Sequence, residues 1–135
     1  MPLITWSNSL SVNVLAMDQE HKRLVGIVND LHAAMKEGKG NEVVGKTLDD
    51  LVEYVKKHFA DEETLLAARK YPGLLGQQRA HAKLTEQVLA YQSRFRGGGA
   101  LITVELMQFL KQWLVDHIQG MDKEYGVWLG KKENS

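Results

Sequence analysis

The chain has 135 residues, 44% hydrophobic and 25% charged, with 17 basic and 17 acidic side chains and a formal net charge of zero. That length suits a single domain over residues 1–135 with its own core, and the charge balance gives no electrostatic reason to expect nucleic acid or a membrane as partner. Cysteine is absent, which excludes disulfides, thiolate metal sites, iron–sulfur clusters and cysteine nucleophiles, so any metal must be held by nitrogen and oxygen.

The opening residues, Met1 to Leu15, lack the basic start and apolar stretch of a secretory signal, and no apolar run approaches the roughly 18 residues of a membrane span. A cytoplasmic protein is the default expectation. The segment from Met1 to Met17 contains Trp6 and reads as an extended arm anchored by that ring. Breaks at Gly38-Lys39-Gly40, Tyr71-Pro72-Gly73 and Gly97-Gly98-Gly99 then divide the chain into four stretches of helical periodicity.

The first helix is expected from Asp18, read as its N-cap, to Glu37, with Leu24, Val25, Val28, Leu31 and Met35 on one stripe. The second runs from Asn41 to about Arg69 on Leu48, Leu51, Val52, Val55, Phe59, Leu65 and Leu66. The third follows Pro72 and carries Leu74, Leu84, Val88, Tyr91 and Phe95. The fourth starts near Leu101 and carries Leu106, Leu110, Trp113, Leu114, Ile118 and Met121, and the charged tail from Lys131 to Ser135 is expected to fray. Four such helices with short connections make an all-α, up-down-up-down antiparallel four-helix bundle.

Polar residues fall on these apolar stripes. His21, His58, His81 and His117 each sit on the inner stripe of a different helix, and Glu62 lies one turn beyond His58. A buried carboxylate costs several kcal/mol unless it is paired, and the inner stripes offer no lysine or arginine nearby. The i, i+4 spacing of His58 and Glu62 suits two ligands of one metal. Asp122, five residues after His117, would point away on a regular helix; a bulge near Gly120 would bring it round. This donor set suits iron, zinc, copper or manganese, and it exceeds what one tetrahedral zinc needs, which favours two metals. His32, three turns beyond His21, belongs to no such site.

These residues resemble the hemerythrin family, in its short single-domain bacterial members. The likeness runs from Thr5-Trp6 to Tyr125-Gly126. It rests on Asp18-Gln19-Glu20-His21-Lys22, on His58-Phe59 leading to Glu62, on the Tyr71-Pro72 turn before His81, and on Trp113-Leu114-Val115-Asp116-His117 leading to Asp122. The resemblance implies two iron ions with a bridging oxo or hydroxo group, also bridged by Glu62 and Asp122. His21 and His58 would bind the iron with an open position, and His81 and His117 the other. It further implies reversible O2 binding for storage, delivery or sensing in a pocket of Leu24, Phe59, Trp113, Leu114 and Ile118. No catalytic residue is implied, and the expected state is a monomer. One position departs from the pattern: the family has a fifth histidine where this chain has Gln77. Its amide could ligate iron, leave the position to water, or hydrogen-bond a ligand. The altered coordination opens an alternative function, a di-iron enzyme of peroxidase or oxidase type, with peroxide and azide-like anions as further ligands.

Overall fold

The computed structural model describes residues 3–38, 41–97 and 102–133, among which every regular element is helical. Helix α1 spans Leu15–Lys36, α2 Asn41–Ala68, α3 Leu74–Arg96 and α4 Ile102–His117. A π turn, Ile118–Asp122, leads directly into α5, Lys123–Glu133. The breaks at Lys39-Gly40 and Gly98-Gly99, the expected start at Leu101, the Asn41 side chain and the last two residues lie outside the described residues.

Each helix buries one stripe. Leu24, Val28 and Leu31 of α1, Leu48, Leu51, Val55 and Leu66 of α2, Leu84 and Val88 of α3, and Leu106, Leu110 and Leu114 of α4 form one core. Leu65, Leu74, Tyr91, Phe95 and Trp113 pack at its rim. Helices α1 and α3 each pack against both α2 and α4, so four helices enclose the core in a bundle. Tyr125 and Leu129 are buried on α5, and the tail expected to fray from Lys131 stays helical through Glu133. The apolar period carries on past the π turn, and it holds the helix.

Two expectations at the N-terminus need correction. Helix α1 begins three residues before Asp18, behind Val14, so Asp18 lies in the first turn and is not the N-cap. Its carboxylate complements the positive end of the helix dipole while accepting hydrogen bonds from the Val12 N–H at 2.8 Å and the Ser11 hydroxyl at 2.6 Å. It therefore ties the incoming segment to the helix. Trp6 is only half-buried, with the Lys22 ammonium 5.4 Å from its ring centroid. The anchors are Ile4, Leu10 and Val12, all buried, together with a two-way amide clamp: the Ile4 N–H donates to Asn29 Oδ1 at 2.9 Å, and Asn29 Nδ2 donates to the Ile4 carbonyl at 2.8 Å.

Glycine matters where that segment meets α5. A Cβ at Gly126 would collide with the Val12 backbone carbonyl, whereas one at Gly120 meets nothing within 4 Å. The π turn thus forms without any steric need for glycine. Gly126→Ala should destabilise the fold by about 1–3 kcal/mol through overpacking. Gly120→Ala should stabilise it by about 0.5–1 kcal/mol, the ordinary helical preference for alanine. Denaturant unfolding of the two variants beside the parent reads both signs.

Candidate metal centre

Helical spacing delivers polar side chains from all four helices to one place in the core. His21 comes from α1, His58 and Glu62 from α2, Gln77 and His81 from α3, and His117 from the end of α4. Asp122 arrives through the π turn. Five residues of regular helix rotate about 500°, leaving Asp122 roughly 140° off the His117 face. The i→i+5 bonding of a π turn instead stacks residue i+5 near residue i, and His117 Nε2 lies 3.3 Å from Asp122 Oδ1. All seven side chains are buried, Glu62 at 0% and Asp122 at 1% exposure.

The inward atoms face one another in two groups that share Glu62: His21, His58 and Glu62, and Glu62, His81 and His117. His21 Nε2 lies 3.4 Å from Glu62 Oε2 and 3.2 Å from Asp122 Oδ2. His58 Nε2 is 3.5 Å from Glu62 Oε2, and His81 Nε2 is 2.9 Å from Glu62 Oε1. Asp122 thus reaches both groups as well, through a different oxygen in each.

Two outer carboxylates fix the rings. His58 Nδ1 lies 2.8 Å from Glu20 Oε1, and His81 Nδ1 lies 2.8 Å from Glu63 Oε2. With Nδ1–H donated outward, Nε2 presents a bare lone pair to the interior. At the His81–Glu62 contact two acceptors then face each other at 2.9 Å. Sequence reasoning gave no role to Glu20, Glu63 or Tyr125. Position was the available signal: Glu20 precedes a ligand candidate and Glu63 follows one, so each flanks the inner stripe and reaches the histidine of the next helix.

The donor set fits a pair of cations. Among the described residues, seven buried side-chain atoms lack a hydrogen-bond partner, and all seven belong to this centre. Five are inward ligand atoms: His21 Nε2, Glu62 Oε1, His81 Nε2, His117 Nε2 and Asp122 Oδ2. At about 1–3 kcal/mol for each unsatisfied buried group, their burial approaches the roughly 5–15 kcal/mol stability of a whole domain. Donors about 2.1 Å from one ion and at right angles stand about 3 Å apart, close to the separations given above.

Without metal, protons take over part of that role. Burial lowers the His21 pKa, but Asp122 and Glu62 outweigh it and raise the group to about 9. His81 is likewise raised by Glu62 and Glu63 against the effect of burial. Burial pushes Glu62 up, yet His21, His58 and His81 hold it well below the usual carboxylate range. Burial and the Glu62 charge push Asp122 up, and His117 and His21 bring it down below its ordinary value.

A helical domain presenting paired histidine and carboxylate groups to buried cations is the class that fold and site define. The sequence model of the Hemerythrin HHE cation binding domain matches residues 13–129. The bacteriohemerythrin of Methylococcus capsulatus is 35% identical over 96% of this chain and 98% of its own, and that of Stenotrophomonas maltophilia 34% identical over 93% and 80%. A wild-type hemerythrin crystal structure aligns with a TM-score of 0.85 at 34% identity, covering 92% of this chain and 95% of that one. The chain belongs to the hemerythrin family.

Two outcomes follow. His21 has a folded pKa above its unfolded value, so the stability it contributes is complete below about pH 6.5 and is lost as pH rises through about 9, on the order of 3 kcal/mol for a shift of that size. Thermal unfolding of chelator-treated protein should show this alkaline loss, and metal-loaded protein should not. Glu20→Gln and Glu63→Gln should each weaken metal binding roughly 10- to 100-fold, read by competition against a chromogenic chelator.

Proposed function

We propose that this protein holds two iron ions and binds O2 reversibly. The observation that carries the reading is the pair of donor groups sharing Glu62, whose unpartnered lone pairs face each other inside a buried core. Similarity to a myohemerythrin of Theromyzon tessulatum, 28% identical over 89% of this chain, and to bacteriohemerythrins supports it. His21 and His58 serve one ion, His81 and His117 the other, and Glu62 and Asp122 both. The ferrous pair supplies the electrons and the coordination position that O2 requires.

The chain's own residues do the rest. Leu24, Phe59, Leu114 and Ile118 are buried on the helices that carry the ligands and keep water away, which slows loss of electrons to solvent. Phe59 stacks on the His81 ring with centroids 3.8 Å apart, and Trp113 stacks on His117 at 5.2 Å. These faces fix ring orientations that Glu20 and Glu63 hold from outside.

Ligands lie early in α1, late in α2, early in α3 and at the end of α4. Convergence of those positions supports an up-down-up-down antiparallel course in one domain, with the N-terminal segment as an arm across it. The test is spectroscopic. Protein loaded with iron should carry two ions per chain, and its ferrous form should gain a visible charge-transfer band under O2 that vanishes on deoxygenation. One iron per chain, or a band that never reverses, overturns the reading.

A further inference from the structure

Each shared carboxylate has one oxygen that is hydrogen-bonded and one that is not. The Tyr125 hydroxyl, fully buried, donates to Glu62 Oε2 at 2.8 Å. Gln77 Nε2, equally enclosed, donates to Asp122 Oδ1 at 2.9 Å. The amide must present its nitrogen here, because a second oxygen against a carboxylate would repel. The other two oxygens, Glu62 Oε1 and Asp122 Oδ2, have no hydrogen-bond partner.

The pairing crosses the centre. Glu62 Oε2, held by Tyr125, faces His21 and His58, while the bare Oε1 faces His81. Asp122 Oδ1, held by Gln77, faces His117, while the bare Oδ2 faces His21. Each half thus receives one bare oxygen from one carboxylate and one hydrogen-bonded oxygen from the other. A hydrogen bond draws electron density from the oxygen it reaches and fixes the plane of the carboxylate.

Resting on the two-ion reading above, we infer that Tyr125 and Gln77 are matched positioning residues. Each orients one bridging carboxylate and weakens one of its oxygens, so that Asp122 binds mainly in the His21/His58 half and Glu62 mainly in the His81/His117 half. Gln77 acts through Asp122 by way of Nε2; its Oε1 is buried without a hydrogen-bond partner, and the test below separates this positioning role from direct ligation through that oxygen.

The test uses the full chain and cobalt(II) alone as probe. Parent protein should bind two cobalt ions per chain; fewer would sink the two-ion reading itself, whatever the variants do. Tyr125→Phe and Gln77→Leu, both checked for parental circular dichroism, should keep two ions and the parental intensity of the cobalt ligand-field bands. Each should bind cobalt roughly 10- to 100-fold more weakly and shift one carboxylate stretching band in the infrared difference spectrum. Loss of one cobalt in Gln77→Leu, or a large rise in band intensity from a lost ligand, would make Gln77 a ligand and overturn the assignment. Unchanged affinity and unchanged carboxylate bands in both variants would overturn it equally.

Discussion

Everything in this molecule answers to one electrostatic constraint. Two carboxylates and four imidazoles are withdrawn from water, and no lysine or arginine is buried among the described residues to offset them. Hydrogen bonding alone leaves five inward atoms unpartnered. An apolar core could be repacked in many ways at modest cost. A ring of lone pairs cannot, because every donor has to stand about 3 Å from its neighbours around a common charge.

That constraint explains features that would otherwise look like defects. A π turn costs regular hydrogen bonding, yet it sits at the one place where a residue five beyond a ligand must face the same way. Glu20 and Glu63 are 18% and 29% exposed, so as surface salt-bridge partners they would contribute little. As acceptors for imidazole N–H groups they select the tautomer that points Nε2 inward. Both bonds also cross between helices, α1 to α2 and α2 to α3. The same contacts that tune the donors hold the bundle in register.

Much of this was legible in the sequence because two periodicities coincide. Helical stripes gave four helices, and the same spacing put His21, His58, His81 and His117 on their inner faces. Asp122 was legible only as a conflict, a plausible ligand on the wrong side of an ideal helix. The bulge expected near Gly120 is the π turn Ile118–Asp122, although a side chain would also fit at position 120. Asp18 was misread because a cap and a first-turn acid look alike in one dimension; only the fold shows that its partners are Ser11 and Val12. Tyr125 fell within the family likeness but was given no role, and its hydroxyl meets Glu62 from 63 residues away in sequence. No local pattern encodes such a contact.

Gln77 shows how a departure from a family pattern can change symmetry more than strength. With a histidine there, one half of the centre would have three imidazoles against two. With glutamine, both halves hold two imidazoles, one bare carboxylate oxygen and one hydrogen-bonded oxygen. The two groups of donors then differ in their surroundings. Phe59 and Trp113 lay flat aromatic faces on His81 and His117, while His21 and His58 meet edge-on at 4.7 Å and Phe59 meets His58 only at a tilt, 5.8 Å away. The two groups of donors are thus told apart by how their rings are packed, and the His21/His58 pair is the more deeply enclosed.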